Sequence, residues 1–466
     1  MKPILTAYLL AFTSMHFLLA QPNTEVYYVE LKEGQEITGS PVMKYVSEPG
    51  DGRPYELRLY PDITFQTMEG IGGAFNEIGG EALMSLSESD RNDVMKNLFS
   101  EDGASFTYCR TAIGASDFGL DAYSYSEVKG DYKMKEFSIE REKTSVIPYI
   151  QLAYKYNPSL KLFASPWSPP GWMKVSGTMD QGEDNPEACQ LINDPKIYQA
   201  YALYLTKYIQ AYEKEGITVD RLMIQNEQDA ITKYPSNYMP PSEMGPFIVD
   251  YLKPQFAKDN ISTELWAGTF RTAHKLQMLE FANNNEWMAS VEGLGIQYTA
   301  NEHVMNVKTL RPDVKLFHTE GNCDNGKNNI QQGFNRFDEL ASYINYGLPN
   351  YCYWNMILNE TTKSGWDWAQ NSMINIDREN KSVTYNPDYA AMCLFGQFIR
   401  PGVKRIASKV RRAGAITFID EEQNIIVFLK NQGEKPAIYD LKTDESSSTS
   451  VEIPANALAV VRMSEE

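Results

Sequence analysis

Histidine is nearly missing from this chain: there are four in 466 residues, and one of them, His16, sits in an apolar leader. His274, His303 and His318 are far apart and none has a ligand-spaced partner, which argues against structural zinc and against His-rich catalytic metal centres. They also leave little material for a Ser-His-Asp triad, and no Gly-x-Ser-x-Gly elbow is present. Cysteine is scarce too. Cys109, Cys189, Cys323, Cys352 and Cys393 are odd in number, scattered and without a Cys-x-x-Cys pair, so the fold does not need disulfides. Positive charge is in deficit, with 43 Lys plus Arg against 61 Asp plus Glu and a net charge of −18. Such a surface repels phosphate backbones and anionic lipid heads, so nucleic acid is not an expected partner.

What the chain does have is length and aromatic rings. At 42% apolar and 22% charged it can bury a sizeable core, and its size allows one large domain plus a smaller one. Its 29 Tyr and 7 Trp suit stacking on neutral ring-shaped ligands as well as core packing.

Residues 1–20 read as a signal peptide: Lys2 precedes an apolar stretch from Ile4 to Ala20, and Ala20 before Gln21-Pro22 is a plausible cleavage point. The competing reading is a membrane anchor, for which the run is at the lower length limit. Cleavage is favoured, which implies a secreted or periplasmic protein with no integral membrane span and a mature charge of −19 once Lys2 is lost.

From about Glu69 to Pro401, short apolar runs alternate with segments of helical period, the pattern of repeated βα units. Eight strand candidates are legible: Gly70 to Phe75, Ser105 to Ile113, Leu160 to Ala164, Arg221 to Gln225, Glu264 to Thr269, Gly293 to Thr299, Lys315 to Thr319 and Asn350 to Met356. Helices are expected between them, the clearest from Lys196 to Lys214, with others from Arg141 to Tyr156 and Glu243 to Ala257. The fold class is therefore α/β, a (β/α)8 TIM barrel over residues 68–401. The flanks, 21–67 and 402–466, alternate as strands do; each is too short to stand alone, so the expectation is one β-sandwich side domain built from both ends.

In a barrel the reacting groups belong at the C-terminal ends of strands. Glu227 follows the fourth strand in Gln225-Asn226-Glu227-Gln228, and Glu320 ends the seventh in His318-Thr319-Glu320-Gly321. A carboxylate pair at a barrel mouth is what glycosidic hydrolysis requires, one as acid/base and one as nucleophile. After strand three, the Pro-rich loop Ser165-Pro166-Trp167-Ser168-Pro169-Pro170-Gly171-Trp172 holds Trp167 and Trp172 on a rigid backbone, where a ring can stack on a sugar face. Trp354, Trp368 and Asn371 add aromatic and amide groups after strand eight. The Gly-rich stretch Gly70-Ile71-Gly72-Gly73 lacks the third glycine and the distant acid of a dinucleotide site.

Taken in order, these motifs resemble glycoside hydrolase family 30, the glucosylceramidase family, over nearly the whole mature chain. The family's opening stretch matches Gly70 to Ala74, with Asn76-Glu77 where it has Thr-Asp; its Arg-x-Pro strand end matches Arg110-Thr111-Ala112. Its Ser-Pro-Trp loop matches Ser165 to Trp167, and its Asn-Glu-Pro matches Asn226-Glu227 with Gln228 for Pro. Its nucleophile position matches Glu320, and its Asp-Trp-Asn segment resembles Tyr353-Trp354-Asn355. The resemblance implies retaining hydrolysis of β-linked oligosaccharides, polysaccharides or glycoconjugates, without metal or organic cofactor. It implies Glu227 as acid/base and Glu320 as nucleophile, with Glu77, Arg110, Trp167, Asn226, Tyr298, Trp354, Trp368 and Asn371 as substrate-binding candidates. Tyr298 stands where the family has a tyrosine beside the nucleophile, in Gln297-Tyr298-Thr299, and either replaces it or leaves that hydrogen bond unmade. β-Glucosidase, glucosylceramidase-like, β-1,6-glucanase, β-xylosidase and β-fucosidase activities all stay open, as do a non-catalytic carbohydrate-binding barrel and, less in keeping with so few histidines, a metal-dependent barrel hydrolase.

Overall fold

The structure, a computed structural model, describes residues 23–271, 276–299, 301–410, 414–444 and 448–464. The leader read as a signal peptide and His274 lie outside the described residues. No helix among the described residues is long and apolar enough to cross a membrane.

Eight parallel strands form the barrel: β1 (Gly70–Phe75), β2 (Tyr108–Ile113), β3 (Lys161–Pro166), β4 (Arg221–Met223), β5 (Glu264–Phe270), β6 (Gly293–Gln297), β7 (Leu316–Glu320) and β8 (Asn350–Asn355). Helices cover the outside and side chains fill the inside, so both faces of each strand are buried, which is why the strands read as apolar runs and not as alternating ones. Each expected strand is present, shifted at its ends by a few residues.

The ladder runs unbroken from β7 through β6, β5, β4, β3, β2 and β1 to β8, but β7 and β8 are joined differently. The Asn350 carboxamide receives the His318 N–H at 2.8 Å and donates to the His318 carbonyl at 2.7 Å. The Cys352 N–H donates to His318 Nδ1 at 3.2 Å, and only beyond them does Gly321 bridge to Tyr353. Two side chains therefore take the place of a backbone ladder at the seam. The His318 ring stacks on Tyr351 at 4.6 Å, and burial together with the charges of Arg336 and Arg110 holds its pKa down to about 3, so it is neutral.

Aromatic rings pack the barrel floor: Tyr108, Phe163, Trp266 and Phe317 form one cluster with Met223 and Cys352. The Arg221 guanidinium lies 4.5 Å from the Trp266 ring and 4.6 Å from that of Phe317, with Glu69 and Glu264 each 2.7 Å away.

The flanking strands make one nine-stranded sheet, mostly antiparallel. Strand Asn23–Glu30 pairs with Ala457–Ser464, and Tyr55–Thr67 lies between Lys404–Val410 and Ala437–Lys442. Alternation sorts its two faces: Leu458 and Val460 join the barrel's core, while Ala459, Val461 and Met463 join a separate core with Leu57, Val427 and Leu441. The sheet packs on helices Ile330–Asn345 and Pro387–Phe398 of the barrel, with Phe428 against Phe395.

Some helices differ from expectation. Glu77–Met84 is a helix that Gly79 and Gly80 hide in the sequence; they are there for close approach, since a Cβ on Gly79 would sit 2.4 Å from the Ile357 carbonyl. The stretch expected as Glu243 to Ala257 is a helix interrupted by a wide turn at Phe247–Leu252, directly after Pro246, which has no N–H to give.

The seam generates a stability prediction. Asn350→Ala leaves the buried N–H and C=O of His318 without partners, a loss of about 2–6 kcal/mol at roughly 1–3 per group. Urea unfolding of the variant is expected to show that loss; a change below about 0.5 kcal/mol means the seam is closed by other contacts.

Candidate active site

Three strand ends converge on the mouth. Glu320 is the last residue of β7, Tyr298 directly follows β6, and Glu227 lies four residues beyond the end of β4. Glu227 and Tyr298 both adopt left-handed backbone angles, φ +44° and +47°, conformations that residues other than glycine rarely occupy and that concentrate at functional sites. At Glu227 the neighbouring strand holds that geometry. The register of β5 against β6 breaks between Ala267 and Phe270, around Gly268 with φ +95°. The irregularity brings Thr269 Oγ1 to accept the Glu227 N–H at 3.0 Å.

Arg110 sits beneath both glutamates, fully buried. Its Nη1 donates to Glu320 Oε2 at 2.5 Å and to the Thr319 carbonyl at 3.1 Å. Its Nε and Nη2 donate to Ser165 Oγ at 3.1 and 2.7 Å, and Nη2 also donates to Asn226 Oδ1 at 2.7 Å. Five contacts use the five N–H groups of a guanidinium. The Trp167 and Trp354 rings stack on each other at 4.9 Å and lie 4.5 and 5.4 Å from the Arg110 guanidinium carbon. Tyr298 donates its hydroxyl to Glu320 Oε1 at 2.6 Å, so Glu320 faces donors on both oxygens, as an ionised carboxylate requires.

Glu227 is in a different field. Burial pushes its pKa up to about 7; Arg271 opposes this, and the charges of Glu320 and Asp229 reinforce it. Arg271 Nη1 lies 3.2 Å from Glu227 Oε2 while its Nε donates to Asp229 Oδ1 at 2.7 Å. One amide nitrogen, Gln297 Nε2, reaches both carboxylates, at 3.4 Å from Glu227 Oε1 and 3.3 Å from Glu320 Oε2, so those two oxygens are at most 6.7 Å apart.

Two buried carboxyl groups facing each other across a barrel mouth, with unlike electrostatic surroundings, suit glycosidic bond cleavage. The comparisons agree. The family model for the glycosyl hydrolase family 30 TIM-barrel domain matches residues 68–399. The chain belongs to glycosyl hydrolase family 30. It is a glycoside hydrolase. Among curated relatives, the endo-1,6-beta-D-glucanase BGN16.3 of Trichoderma harzianum is 34% identical over 209 residues, 43% of each chain. The lysosomal acid glucosylceramidase of Mus musculus is 24% identical over 387 residues, 75% of this chain and 72% of that one. Among solved structures, SrfJ from Salmonella typhimurium superposes with a TM-score of 0.82 at 21% identity, covering 95% of this chain and all of the other; it shares the fold.

The sequence reading and the family resemblance together named ten site residues, and the structure places them differently. Glu227 and Glu320 come together, and Tyr298 makes the hydrogen bond to Glu320 that the sequence left open. Asn226 touches the pair through Arg110; because its amide oxygen accepts from that guanidinium, the nitrogen is the end left for a ligand. Arg110 has every donor committed inside the protein, an arrangement that positions Glu320 and Asn226. Trp167 and Trp354, 2% and 0% exposed, form the wall that packs Arg110 and present no open face, contrary to the expectation of a stacking platform. Glu77 receives Arg141 and the Leu120 N–H, so its carboxylate anchors the loop after β2. The Asn371 amide oxygen accepts the Asn328 N–H and ties the loops after β7 and β8 together. Trp368 is 40% exposed on the rim beside Tyr234.

Sequence reading missed Asp117, Tyr234 and Arg271. Asp117 is buried in the loop after β2 with one carboxylate oxygen unpartnered; burial, then the charges of Glu320 and Glu227, push its pKa well above the usual range. It follows a strand end in Ala115-Ser116-Asp117-Phe118, the same positional signal that found the two glutamates. Tyr234, whose hydroxyl is raised by burial and then by Glu227, Asp117 and Glu320, had no such signal, because it lies seven residues beyond Glu227 in a long loop.

Arg110→Lys is expected to keep the charge but not the fork, since an ammonium cannot span Ser165, Asn226 and Glu320 in one plane. Loss of that geometry is expected to lower kcat/KM on aryl β-glycosides by about 100-fold or more. A loss under about threefold means that Glu320 and Asn226 hold their places without the guanidinium.

Proposed function

We propose that this protein is an exported retaining β-glycoside hydrolase that works by double displacement, with Glu227 as acid/base and Glu320 as nucleophile. The observation that supports the reading is the single amide nitrogen of Gln297 within 3.4 Å of both carboxylates, which keeps those two oxygens no more than 6.7 Å apart and favours the close pairing of a retaining site. Retaining enzymes place their carboxyl groups about 5–5.5 Å apart, and inverting ones about 6.5–9.5 Å apart to hold a water between them. The apolar leader supports export.

In the first step Glu320 attacks the anomeric carbon and forms a glycosyl ester as Glu227 gives its proton to the leaving oxygen. In the second, Glu227 as carboxylate takes a proton from water, which attacks the same carbon and releases Glu320. Arg110 and Tyr298 hold Glu320 in line, and the Asn226 amide nitrogen is placed to donate to the sugar 2-hydroxyl. Asp117, beside both glutamates with an oxygen unpartnered, is an acceptor for hydroxyls of the same ring.

The substrate class that fits the relatives is a β-glucoside, cut either from a glycolipid as in the glucosylceramidases or within a β-1,6-linked glucan. The two separate on substrate: a β-1,6-gluco-oligosaccharide ladder and glucosylceramide in detergent, assayed side by side, decide between them. The stereochemical test is proton NMR of the first product, where the β anomer is expected and an α anomer eliminates the retaining reading.

The pH dependence follows from the proton on Glu227. As pH rises through about 7 the acid form is lost, so kcat/KM on a moderately activated aryl β-glucoside is expected to fall on the alkaline side near neutrality. Glu227→Gln is expected to remove that limb; if the limb persists unchanged, another group produces it.

A further inference from the structure

Arg271 and Asp229 have no part in the reading above, yet they are built against the acid/base. Arg271 lies at the end of β5, two residues beyond Thr269, whose hydroxyl fixes the Glu227 backbone. The same strand end therefore holds both the backbone of Glu227 and, through a guanidinium 3.2 Å from Oε2, its side chain. The other side of that guanidinium is taken by Asp229 at 2.7 Å, two residues after Glu227 in the same turn. Asp229 has a buried second oxygen without a partner, so its charge is not spread over further donors. Arg271 is thus suspended between two carboxylates, one that must exchange a proton during the reaction and one that need not.

We infer that Arg271 and Asp229 form a positioning pair that sets the proton affinity of Glu227, the cation favouring its carboxylate form and the anion holding that cation back. This rests on Glu227 being the acid/base. In double displacement one residue must give a proton and then take one, so its two forms have to be close in free energy. A guanidinium suits the task because it stays protonated throughout and contributes a fixed charge. Asp229 acts twice: it anchors Arg271 through Nε, and its own negative charge disfavours a second one on Glu227.

The other groups facing Glu227 are accounted for by element. Glu320 on β7 raises its proton affinity, and Gln297 on β6 lowers it. Asp117 after β2 and Tyr234 after β4 stand close enough for their own titration to respond to Glu227. Arg110 on β2 is bonded to Glu320 and Tyr298 after β6 donates to Glu320, so both act on the partner glutamate first. Arg271 and Asp229 can be neutralised without touching Glu320 or its hydrogen-bond partners Arg110, Gln297 and Tyr298.

The test is a pair of isosteric or near-isosteric changes whose effects have opposite sign. Arg271→Gln removes a cation, so the alkaline limb of kcat/KM is expected to move up by about 1 pH unit, within the range for an opposite charge at this distance. Asp229→Asn removes an anion and frees Arg271 to pair with Glu227, so the limb is expected to move down by a similar amount. Arg271→Lys restores the charge and is expected to return most of the shift, whereas a residue serving only as packing would not be rescued in the pH profile. All variants are measured in the full-length enzyme on one moderately activated aryl β-glucoside, with unfolding midpoints recorded. Opposite displacements support the inference. Limbs left in place, or displaced in the same direction, overturn it. Glu227→Gln separates the levels: a limb that survives in that variant overturns the acid/base reading and this inference with it, whereas a limb that it removes but that Arg271→Gln and Asp229→Asn do not move overturns this inference alone.

Discussion

The catalytic end of the barrel depends on one buried cation. A guanidinium with no solvent contact is costly to bury unless its charge is matched and its donors are all used. Arg110 meets both conditions, with Glu320 as counter-ion and Ser165, Thr319 and Asn226 taking the remaining donors. These partners come from β3, β7 and the turn after β4, so the guanidinium fixes the relative heights of three strand ends. Its demand for satisfaction is what makes the mouth rigid: shifting any of the three leaves a donor or a charge unpaired in a region that excludes water.

The same logic explains why the two glutamates differ although both are buried. Glu320 faces the guanidinium and a tyrosine hydroxyl, and Glu227 faces a second arginine already shared with Asp229. Identical side chains are thus given different electrostatic surroundings by the strands beside them. The irregularity in β5 is the local cause at Glu227, since a regular strand would carry Thr269 and Arg271 to other heights. Gly268, at φ +95°, supplies the backbone that most residues would resist.

How far the sequence revealed this depended on which physical signal each part leaves. The eight strands were legible because burial on both faces writes continuous apolar runs, and the glutamates because they stand just past such runs. Asp117 left the same mark and was overlooked. Arg110 was found by resemblance, but its bonds to Ser165, Thr319, Glu320 and Asn226 were not legible, because a sequence does not say which internal acceptors a charged residue meets. The helix at Glu77–Met84 was hidden by Gly79 and Gly80, which allow close approach of Ile357 and Ser145 respectively, both far along the chain. The break in β5 is a property of pairing between strands, and no residue within β5 announces it except Gly268. The seam was likewise hidden, since Asn350 and His318 carry no local pattern that marks them as substitutes for a ladder.

The pairing of strand Asn23–Glu30 with Ala457–Ser464 sets Asn23 directly opposite Ser464. The whole barrel lies between these two strands along the sequence. A folded barrel that brings its two ends near reduces the closure entropy that two free chain ends would face in making this pair. Separating these two strands would uncover a hydrogen-bonding edge on each of them along its whole length, so each strand shields the edge of the other.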